Sequence, residues 1–318
     1  MTDAPALTVG IATYDGRHLL EVVLPSLRDQ SFTDFHVVVV DDASGDDTVA
    51  WLGEHWPEVE VIAHPSNRGV TAALNSCLRA GRSELVALLN NDVELDPDCL
   101  AELVAAMGRH PRAGVACGKL LDYRRRELLD GAGDLYTWGG EANRRGQGER
   151  DVGQYDRPQE VFSACGAAAV YRRSALAAVG LLDERLFAIY EDVDWCFRAQ
   201  LAGWSCRYVP TAVAYHMGSA TIGDGLSDFS LRHNWRNAIW VIAKDYPAWA
   251  LLRHAHEIAF VQLRNLAIAV RRRRLALWLG VWREALAGLP AVLGDRRRVQ
   301  RSRTRSAADL DRLIGRDR

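Results

Sequence analysis

Residues 84–96 read ELVALLNNDVELD, a buried strand with a polar end. Six mostly apolar residues run directly into NND at 90–92, and two more acids follow within four residues. A buried strand needs no such ending. The stretch therefore raises the question of what these oxygen atoms bind, and the strands elsewhere in the chain supply the answer.

The first hundred residues repeat this pattern of apolar strands and polar ends. Near-continuous apolar runs such as FHVVVV at 35–40 are separated by segments with helical spacing, which is typical of a parallel sheet covered by helices on both faces. Ligands of such sheets bind outside the carboxyl ends of the strands. We expect one crevice to be lined by four polar clusters, namely TYDG at 13–16, DDASGDD at 41–47, SNRG at 66–69 and NNDVELD at 90–96.

The regular pattern is lost between about residues 120 and 160, where the chain contains GGEANRRGQGERDVGQYDRPQ. This composition predicts a long mobile loop, and loops of this size in compact domains often act as lids. Strand and helix patterns return afterwards, and helices are predicted from about residue 230 to the end. Pro25 predicts a bend or break in the first helix.

The composition is that of a soluble globular protein, with 48% hydrophobic and 25% charged residues. Its six cysteines form no CxxC pair, so we interpret them as reduced, buried thiols. The net charge of −2 hides an asymmetry, because residues 271–318 carry +9 and the rest of the chain carries −11. No signal peptide is visible in MTDAPALTVG, and we expect a cytoplasmic protein.

Two residues at predicted strand ends are candidate metal ligands. Asp92 lacks an evident structural role, because Asp96 or Asp98 would cap the following helix adequately. A carboxylate at a strand end can hold Mg²⁺ or Mn²⁺ together with the phosphates of a nucleotide. His216 ends the predicted strand CRYVPTAVAYH, where a satisfied polar residue is the simpler interpretation. If His216 joins Asp92, its imidazole favours Mn²⁺.

A third set of acids, Glu191, Asp192 and Asp194, begins a predicted helix. Negative charge in a first helical turn is favourable, but three acids are more than capping requires. The apolar run LFAIY before them can line a partly dry pocket. One of the three is therefore a candidate general base, with a pKa adjusted by burial and by neighbouring acids.

Taken together, these segments resemble the family 2 glycosyltransferases, in particular their bacterial rhamnosyltransferase-like branch. The resemblance covers residues 7–245 in family order and spacing, through VGIATYDGRHLL, VVVVDDASGDDT, HPSNRG, LVALLNNDVELD, ACGAAAVY, YEDVDW and VAYHMGSAT. It implies an α/β domain of GT-A fold at 1–230, with a mostly parallel central sheet. The nucleotide-binding half would span about 1–100 and the acceptor half about 101–230, followed by a helical, basic C-terminal region at 231–318.

The resemblance also implies roles for individual residues. Asp192 matches the catalytic base, with Glu191 and Asp194 as supporting acids, while Asp92 and His216 would hold Mn²⁺ or Mg²⁺. Asn90 stands where the family's DxD motif has its first acid. Because an asparagine supplies no carboxylate, Asp92 and His216 would have to provide more of the metal coordination. The residues that would contact the donor nucleotide sugar are Thr13, Tyr14, Asp15, Asp42, Asn67, Arg68, Gly69, Asn90, Asn91 and Gly166.

The implied reaction is an inverting transfer from dTDP-rhamnose or a UDP-sugar to a hydroxyl of a glycan or polyprenyl-linked acceptor, in cell-envelope polysaccharide synthesis. Two alternatives remain. A nucleotidyltransferase shares the parallel sheet and the metal-bound nucleotide, but it would carry a Gly-rich basic loop where TYDGRHLL has one glycine. A non-catalytic sugar-nucleotide binding protein is suggested only by Asn90.

The C-terminal region pairs apolar stretches with arginine clusters and with Trp278 and Trp282. Arginines interrupt each apolar run before it reaches about 18 residues, so we expect no membrane-spanning helix. We predict a peripheral element on the anionic inner face of the cell membrane, with a solvated helical subdomain as the alternative. Nucleic acid is not an expected partner, because arginine alone does not read bases.

Overall fold

The structure is a computed structural model that describes residues 5–218 and 227–314. Residues 1–4, 219–226 and 315–318 lie outside the described residues, and with them the end of the HMGSAT segment and of the basic tail. The described chain is a mixed α/β unit followed by a helical C-terminal region.

Strands and helices alternate through the first hundred residues, as the sequence predicts. The elements are β1 (Leu7–Thr13), α1 (Arg17–Arg28), β2 (Phe35–Asp41), α2 (Thr48–His55), β3 (Glu60–Ala63), α3 (Val70–Ala80), β4 (Leu85–Asn90), β5 (Val93–Leu95) and α4 (Cys99–Arg109). The next elements are β6 (Ala113–Asp122), β7 (Leu129–Gly131), β8 (Asp134–Tyr136), β9 (Ala142–Arg144), β10 (Gln159–Val161), β11 (Ala168–Arg172), α5 (Arg173–Val179), a 3₁₀ turn (Glu184–Leu186), α6 (Glu191–Leu201) and β12 (Ser205–His216). The C-terminal helices are α7 (Asp228–Asp245), α8 (Ala248–Arg253), α9 (Ala255–Arg271), α10 (Leu275–Arg301) and α11 (Ala307–Ile314).

Among the described residues, ten strands form one sheet whose main order is β10-β12-β6-β11-β4-β1-β2-β3. Strands β1 to β4 pair in parallel, and β12 is parallel to β6. Strand β11 lies antiparallel between β4 and β6 and joins the two halves. The predicted α/β fold, with a mostly parallel central sheet and a helical C-terminal extension, is confirmed.

Strand β4 shows why the apolar pattern produces this sheet. Leu85, Ala87 and Leu89 pack into the core on the side of α1 and α4, while Val86 and Leu88 pack into the core on the side of α3. Both faces of the strand are buried, so residues 85–89 are all apolar instead of alternating between apolar and polar. The first polar side chain of the strand, Asn90, therefore appears at its carboxyl end.

The segment from 120 to 160 is not the mobile lid that its composition predicts. Strand β6 runs to Asp122, β8 and β9 form a hairpin, and β10 joins the edge of the main sheet. Several of its glycines, including Gly133 and Gly146, have positive φ and make the turns between these short strands. Two of its acids, Asp151 and Asp156, form ion pairs with Lys119 of β6.

Pro25 does not break the first helix, which continues from Arg17 to Arg28. Proline at this position removes one helical hydrogen bond. Only three residues of the helix follow it, and Leu24 and Leu27 are buried on the same helix, so core packing holds the last turn in place. The predicted break is therefore wrong.

A buried ion network attaches the C-terminal helices to α6. Asp194 has no exposed surface, and its carboxylate contacts Arg198 at 2.8 Å and Lys244 of α7 at 2.5 Å. Lys244 also reaches Asp183 at 2.6 Å. The sequence predicted Asp194 as a supporting acid of the site. Its side chain instead lies between α6 and α7, where its ion pairs with Arg198 and Lys244 have a structural role.

Helices α9 and α10 leave an apolar face exposed. On α9 this face carries Phe260, Leu263 and Val270, and on α10 the spacing of three to seven residues places on one side Leu275, Leu279, Leu286 and Leu293. Among the described helices, α10 is long and apolar enough to cross a membrane by length and composition, contrary to the expectation from the arginine spacing, and 17% of its apolar window is buried. The same test is passed by helices that do not span a membrane.

We predict that Asp194→Ala lowers the free energy of unfolding by about 3–5 kcal/mol, because it leaves Arg198 and Lys244 buried without their shared carboxylate. Urea denaturation measures the change. Asp192→Asn, two residues earlier on the same helix, is the matched control and should change stability by less than about 1 kcal/mol, because Asp192 has no cationic partner of this kind. Equal stability of the two variants would contradict a structural role for Asp194.

Candidate active site

The polar ends of β1, β2 and β4 meet at one edge of the sheet. Thr13 pairs with Asp41 and Ala12 pairs with Asn90, so the residues after these strands are neighbours. They open into a cavity of about 780 Å³. Its lining includes ten of the predicted site residues, namely Thr13, Tyr14, Asp42, Asn67, Gly69, Asn90, Asn91, Asp92, Glu191 and His216.

One end of this cavity is organised by Asp42. Its buried carboxylate accepts hydrogen bonds from the backbone N–H groups of Arg68 (3.0 Å) and Gly69 (2.7 Å), and it contacts His64 Nδ1 at 2.7 Å. The aspartate therefore fixes the 67–69 loop as a cavity wall. Asn91 makes a similar link, because its amide donates to the Thr13 hydroxyl at 3.1 Å.

Two predicted donor contacts, Asp15 and Arg68, do not line either cavity described here. Asp15 accepts a hydrogen bond from the N–H of Gly45 at 2.6 Å and ties the loop after β1 to the loop after β2. Arg68 extends its guanidinium to Glu184, at 3.0 Å, while only its backbone N–H serves Asp42. Both residues therefore stabilise the loops around the cavity.

Asp92 and His216 lie side by side, as expected for a metal-binding pair. His216 Nε2 is 3.2 Å from Asp92 Oδ1, and both side chains are largely buried at the cavity wall. Strand β5 pairs antiparallel with β12, with Val93 opposite His216, and this pairing brings the two residues together. The carboxylate of Asp92 is therefore the group that faces His216 Nε2.

The second nitrogen of His216 is held by Asp130, which sequence reasoning missed. His216 Nδ1 lies 2.8 Å from Asp130 Oδ2, and Arg144 contacts the same oxygen at 2.5 Å. Burial disfavours protonation of His216, but the two carboxylates outweigh it and raise its pKa. In the neutral imidazole, Nδ1–H donates to Asp130 and leaves the Nε2 lone pair directed towards the cavity, as in histidines that ligate metals.

This arrangement fits a hard divalent cation that takes its remaining ligands from a substrate. No cluster of three or more His, Cys, Asp or Glu side chains suited to a metal occurs in residues 5–218 and 227–314. Two protein ligands are nevertheless sufficient for Mg²⁺ or Mn²⁺ when phosphate oxygens complete the coordination. The uncharged Asn90 lines the same wall but supplies no carboxylate.

A second cavity of about 230 Å³ lies beside the first. The two share lining residues, including Asn90, Arg144, Glu191 and Asn234. Gly166 and Asp192 line only the smaller one. Two ligands could therefore meet where the cavities join, with Asp192 on the side of the smaller cavity.

Asp192 is held in one orientation by backbone donors. Its Oδ2 accepts from the N–H of Gly166 at 2.9 Å, and its Oδ1 accepts from the N–H of Val193 at 2.7 Å. A Cβ at Gly166 would lie 3.1 Å from Oδ2, so glycine permits this close approach. Gly166, predicted as a donor contact, thus contacts the predicted base directly.

The acids Glu191 and Asp192 both have raised pKa values. Burial, together with the charge of Asp192, raises the pKa of Glu191 to about 8, so Glu191 keeps its proton at neutral pH. Burial also raises the pKa of Asp192, while the N–H groups of Val193 and Gly166 and the charge of Arg144 oppose the rise. These donors stabilise the carboxylate form of Asp192, which is the form that can accept a proton.

Several lining residues gave no usable signal in the sequence. Arg144 and Asp130 fall in the segment interpreted as a loop, and Arg144 stands among several other arginines. Asp134 lines the smaller cavity, and burial next to Asp192 raises its pKa well above the ordinary value. Asn234 reaches both cavities from α7, which the sequence placed outside the α/β domain.

Comparisons with known proteins identify the family of the chain. Residues 8–180, more than half of the chain, match the profile described as Glycosyl transferase family 2. The chain is 29% identical over 281 residues to the N-acetylglucosaminyl-diphospho-decaprenol L-rhamnosyltransferase of Mycobacterium tuberculosis, covering 78% of this chain and 87% of that protein. It is 32% identical to the pre-mycofactocin glycosyltransferase of the same organism, covering 85% of this chain and 57% of that protein. An uncharacterised Sinorhizobium fredii protein is 30% identical over 70% of this chain, which spans only 26% of its length.

Solved structures share the fold at low sequence identity. A mannosyltransferase from Pyrobaculum calidifontis, in complex with GDP-Man and Mn²⁺, superposes with a TM-score of 0.58 at 18% identity, covering 100% of this chain and 89% of that one. GalNAc-T7, solved with UDP, GalNAc and Mn²⁺, gives 0.59 at 16% identity, covering 74% and 48%. These neighbours are GT-A glycosyltransferases, and this chain, as its motifs predict, belongs to glycosyl transferase family 2.

Proposed function

We propose that the chain is an inverting, metal-dependent glycosyltransferase that moves a sugar from a nucleoside-diphosphate sugar to a hydroxyl group. The observation that carries this proposal is the junction of the two cavities, with Asp92 and His216 on one side and Asp192 on the other. The mycobacterial relative is named an L-rhamnosyltransferase of N-acetylglucosaminyl-diphospho-decaprenol, which supports a rhamnose donor and a lipid-linked acceptor. We propose dTDP-rhamnose or a UDP-sugar as the donor and cell-envelope polysaccharide synthesis as the pathway.

The larger cavity suits the donor. Its nucleoside would lie against Thr13 and Asp42, beside the loop of residues 67–69, and its diphosphate would extend towards Asp92 and His216. A bound Mn²⁺ or Mg²⁺ would act as a Lewis acid that neutralises the charge developing on the departing diphosphate. Arg144, which lines both cavities, places a fixed positive charge beside the same position.

Asp192 supplies the base. An acceptor hydroxyl in the smaller cavity would give its proton to Asp192 while its oxygen attacks the anomeric carbon, and the bond from that carbon to the diphosphate oxygen breaks on the opposite face. One displacement inverts the anomeric configuration and needs one base and no protein nucleophile. Glu191, protonated at neutral pH, can donate a hydrogen bond to a substrate oxygen at the junction.

We predict that Asp192→Asn lowers turnover by at least about 10²-fold, because the amide keeps the size of the side chain but cannot accept the proton. Nucleoside-diphosphate release from UDP-, dTDP- and GDP-sugars with Mn²⁺ measures turnover, and thermal shift measures donor binding. Donor affinity and melting temperature should stay near those of the wild type. Glu191→Gln is the neighbouring control and should lose much less. The base assignment fails if Asp192→Asn retains near-normal turnover while Glu191→Gln does not.

We also predict that nucleotide binding is linked to metal through His216. Asp92→Ala and His216→Ala should each abolish the Mn²⁺-dependent part of UDP or dTDP affinity, and Asp130→Asn should weaken it about 10–100-fold by releasing the imidazole. Isothermal titration calorimetry with and without Mn²⁺ measures this difference. Asp151→Asn, an ion-paired carboxylate of the same segment that contacts Lys119 instead, should leave it unchanged. Full transferase activity in excess EDTA would disprove the metal requirement.

The exposed apolar face of α9 and α10 is the proposed membrane contact, which would place the enzyme on the cytoplasmic side as a peripheral protein. The exposed arginines 271–273 lie between these helices, next to that face. An apolar face with adjacent cations suits an anionic lipid surface, where the side chains enter the interface and the guanidinium groups meet lipid phosphates. This position would bring the cavities close to a lipid-linked acceptor.

We predict that Leu279→Glu combined with Leu286→Glu lowers binding to vesicles containing phosphatidylglycerol at least about tenfold in co-sedimentation at low salt. Deleting the tail is not a clean test, because Leu310 and Leu313 of α11 belong to the core. The matched control, Val49→Glu with Val152→Glu, changes two exposed valines elsewhere and should bind like the wild type. If the wild-type protein does not bind these vesicles, the apolar face of α9 and α10 has no role in membrane binding.

A further inference from the structure

The segment that leads into Glu191 and Asp192 has an unusual backbone. Phe187, Ile189 and Tyr190 have φ angles of 65°, 66° and 78°, in the left-handed region that residues with side chains rarely adopt. Three such residues within four positions persist only where the surroundings determine their conformation. The last of them, Tyr190, is the N-cap residue that precedes α6.

A single side chain of α7 holds the carbonyl groups of this segment. The Nδ2 of Asn237 donates to the carbonyl oxygens of Leu186 (3.0 Å), Ala188 (2.8 Å) and Ile189 (2.6 Å). Asn237 has no exposed surface, and its Oδ1 accepts from Arg236 Nε at 3.0 Å. The amide is therefore held in place by its own neighbour and contacts three carbonyl oxygens within four consecutive residues, 186–189.

Other hydrogen bonds also stabilise residues 187–190, but they involve different groups from those that Asn237 contacts. The carbonyl of Phe187 accepts from the N–H of Thr71, and the hydroxyl of Tyr190 donates to the carbonyl of Gly140. Neither of these contacts reaches the carbonyls of residues 188 and 189. Among the described residues, loss of the Asn237 amide would remove the side-chain donor of both carbonyls, one in the buried Ala188 and one in the half-buried Ile189. The backbone would then relax to recover hydrogen bonds.

We propose that Asn237 is a positioning residue for the transfer reaction, because it holds the left-handed backbone of residues 187–190 and so sets the direction in which Asp192 enters the smaller cavity. This inference rests on the proposed role of Asp192 as the base. It assigns to the helical C-terminal region a part in catalysis, in addition to its packing. The same helix supplies Asn234 to both cavities, so α7 belongs to the active site.

The test compares Asn237→Ala and Asn237→Asp with Asn75→Ala in the full-length chain. Asn75 is the matched control, a buried amide on α3 whose Nδ2 donates to the carbonyl of Leu182 at 2.9 Å, before the strained segment begins. Turnover of the fastest wild-type donor, UDP or dTDP binding with Mn²⁺, and hydrogen exchange of the peptide covering 186–192 are measured where each variant remains folded.

Both Asn237 variants should lower kcat at least about tenfold, since a displacement of about 1 Å can cost 10²-fold, while nucleotide affinity stays within about twofold. Exchange of the 186–192 amides should rise at least about tenfold in these variants and stay unchanged in Asn75→Ala. Equal kcat losses in Asn237→Ala and Asn75→Ala, or unchanged exchange in the Asn237 variants, would overturn the proposal. If Asp192→Asn keeps full turnover, the proposed base fails instead, and the exchange result still decides whether Asn237 holds the segment.

Discussion

The contact between His216 and its two carboxylates is the interaction on which the site depends. It joins residues from three separate parts of the chain, because Asp92 follows β4, Asp130 belongs to β7 and His216 ends β12. The pairing of β5 with β12 and of β7 with β6 brings them within hydrogen-bond distance. Asp130 orients the imidazole, and Nε2 then faces Asp92 at the cavity wall. Under the proposed function, this contact defines the place of the donor diphosphate.

The acids at the start of α6 show how burial and partners separate identical side chains into different roles. Asp194 faces Lys244 and Arg198 and belongs to a structural network of ion pairs. Asp192, two residues earlier, faces a cavity and receives only backbone donors and the more distant Arg144. A helix turns about 200° between such positions, so one acid can hold the C-terminal helices while the other remains available to a substrate.

The sequence predicts those parts of the molecule that short-range patterns determine. Strands β1 to β4 are continuous apolar runs, and Asn90–Asp92 and His216 stand out because a dry strand has no other reason to end in polar groups. Asp130 and Arg144 could not be predicted, since they lie in β7 and β9, strands of only three residues that are too short to show a periodic pattern. The orientation of the Asp194 side chain likewise could not be predicted, because it depends on the position of Lys244 in α7. The placement of α7 beside residues 186–190 explains why a region interpreted as a separate helical extension contributes side chains to the cavities.

Diffraction data from crystals grown with Mn²⁺ and UDP or dTDP, collected at the manganese absorption edge, test the central claim most directly. The account predicts one anomalous peak at the cavity wall, about 2–2.4 Å from His216 Nε2 and from an Asp92 oxygen, with the remaining ligands supplied by the diphosphate and water. His216 Nδ1 should keep its contact with Asp130. A diphosphate bound in the cavity without manganese, or manganese bound to Glu191 and Asp192 instead, would contradict the account.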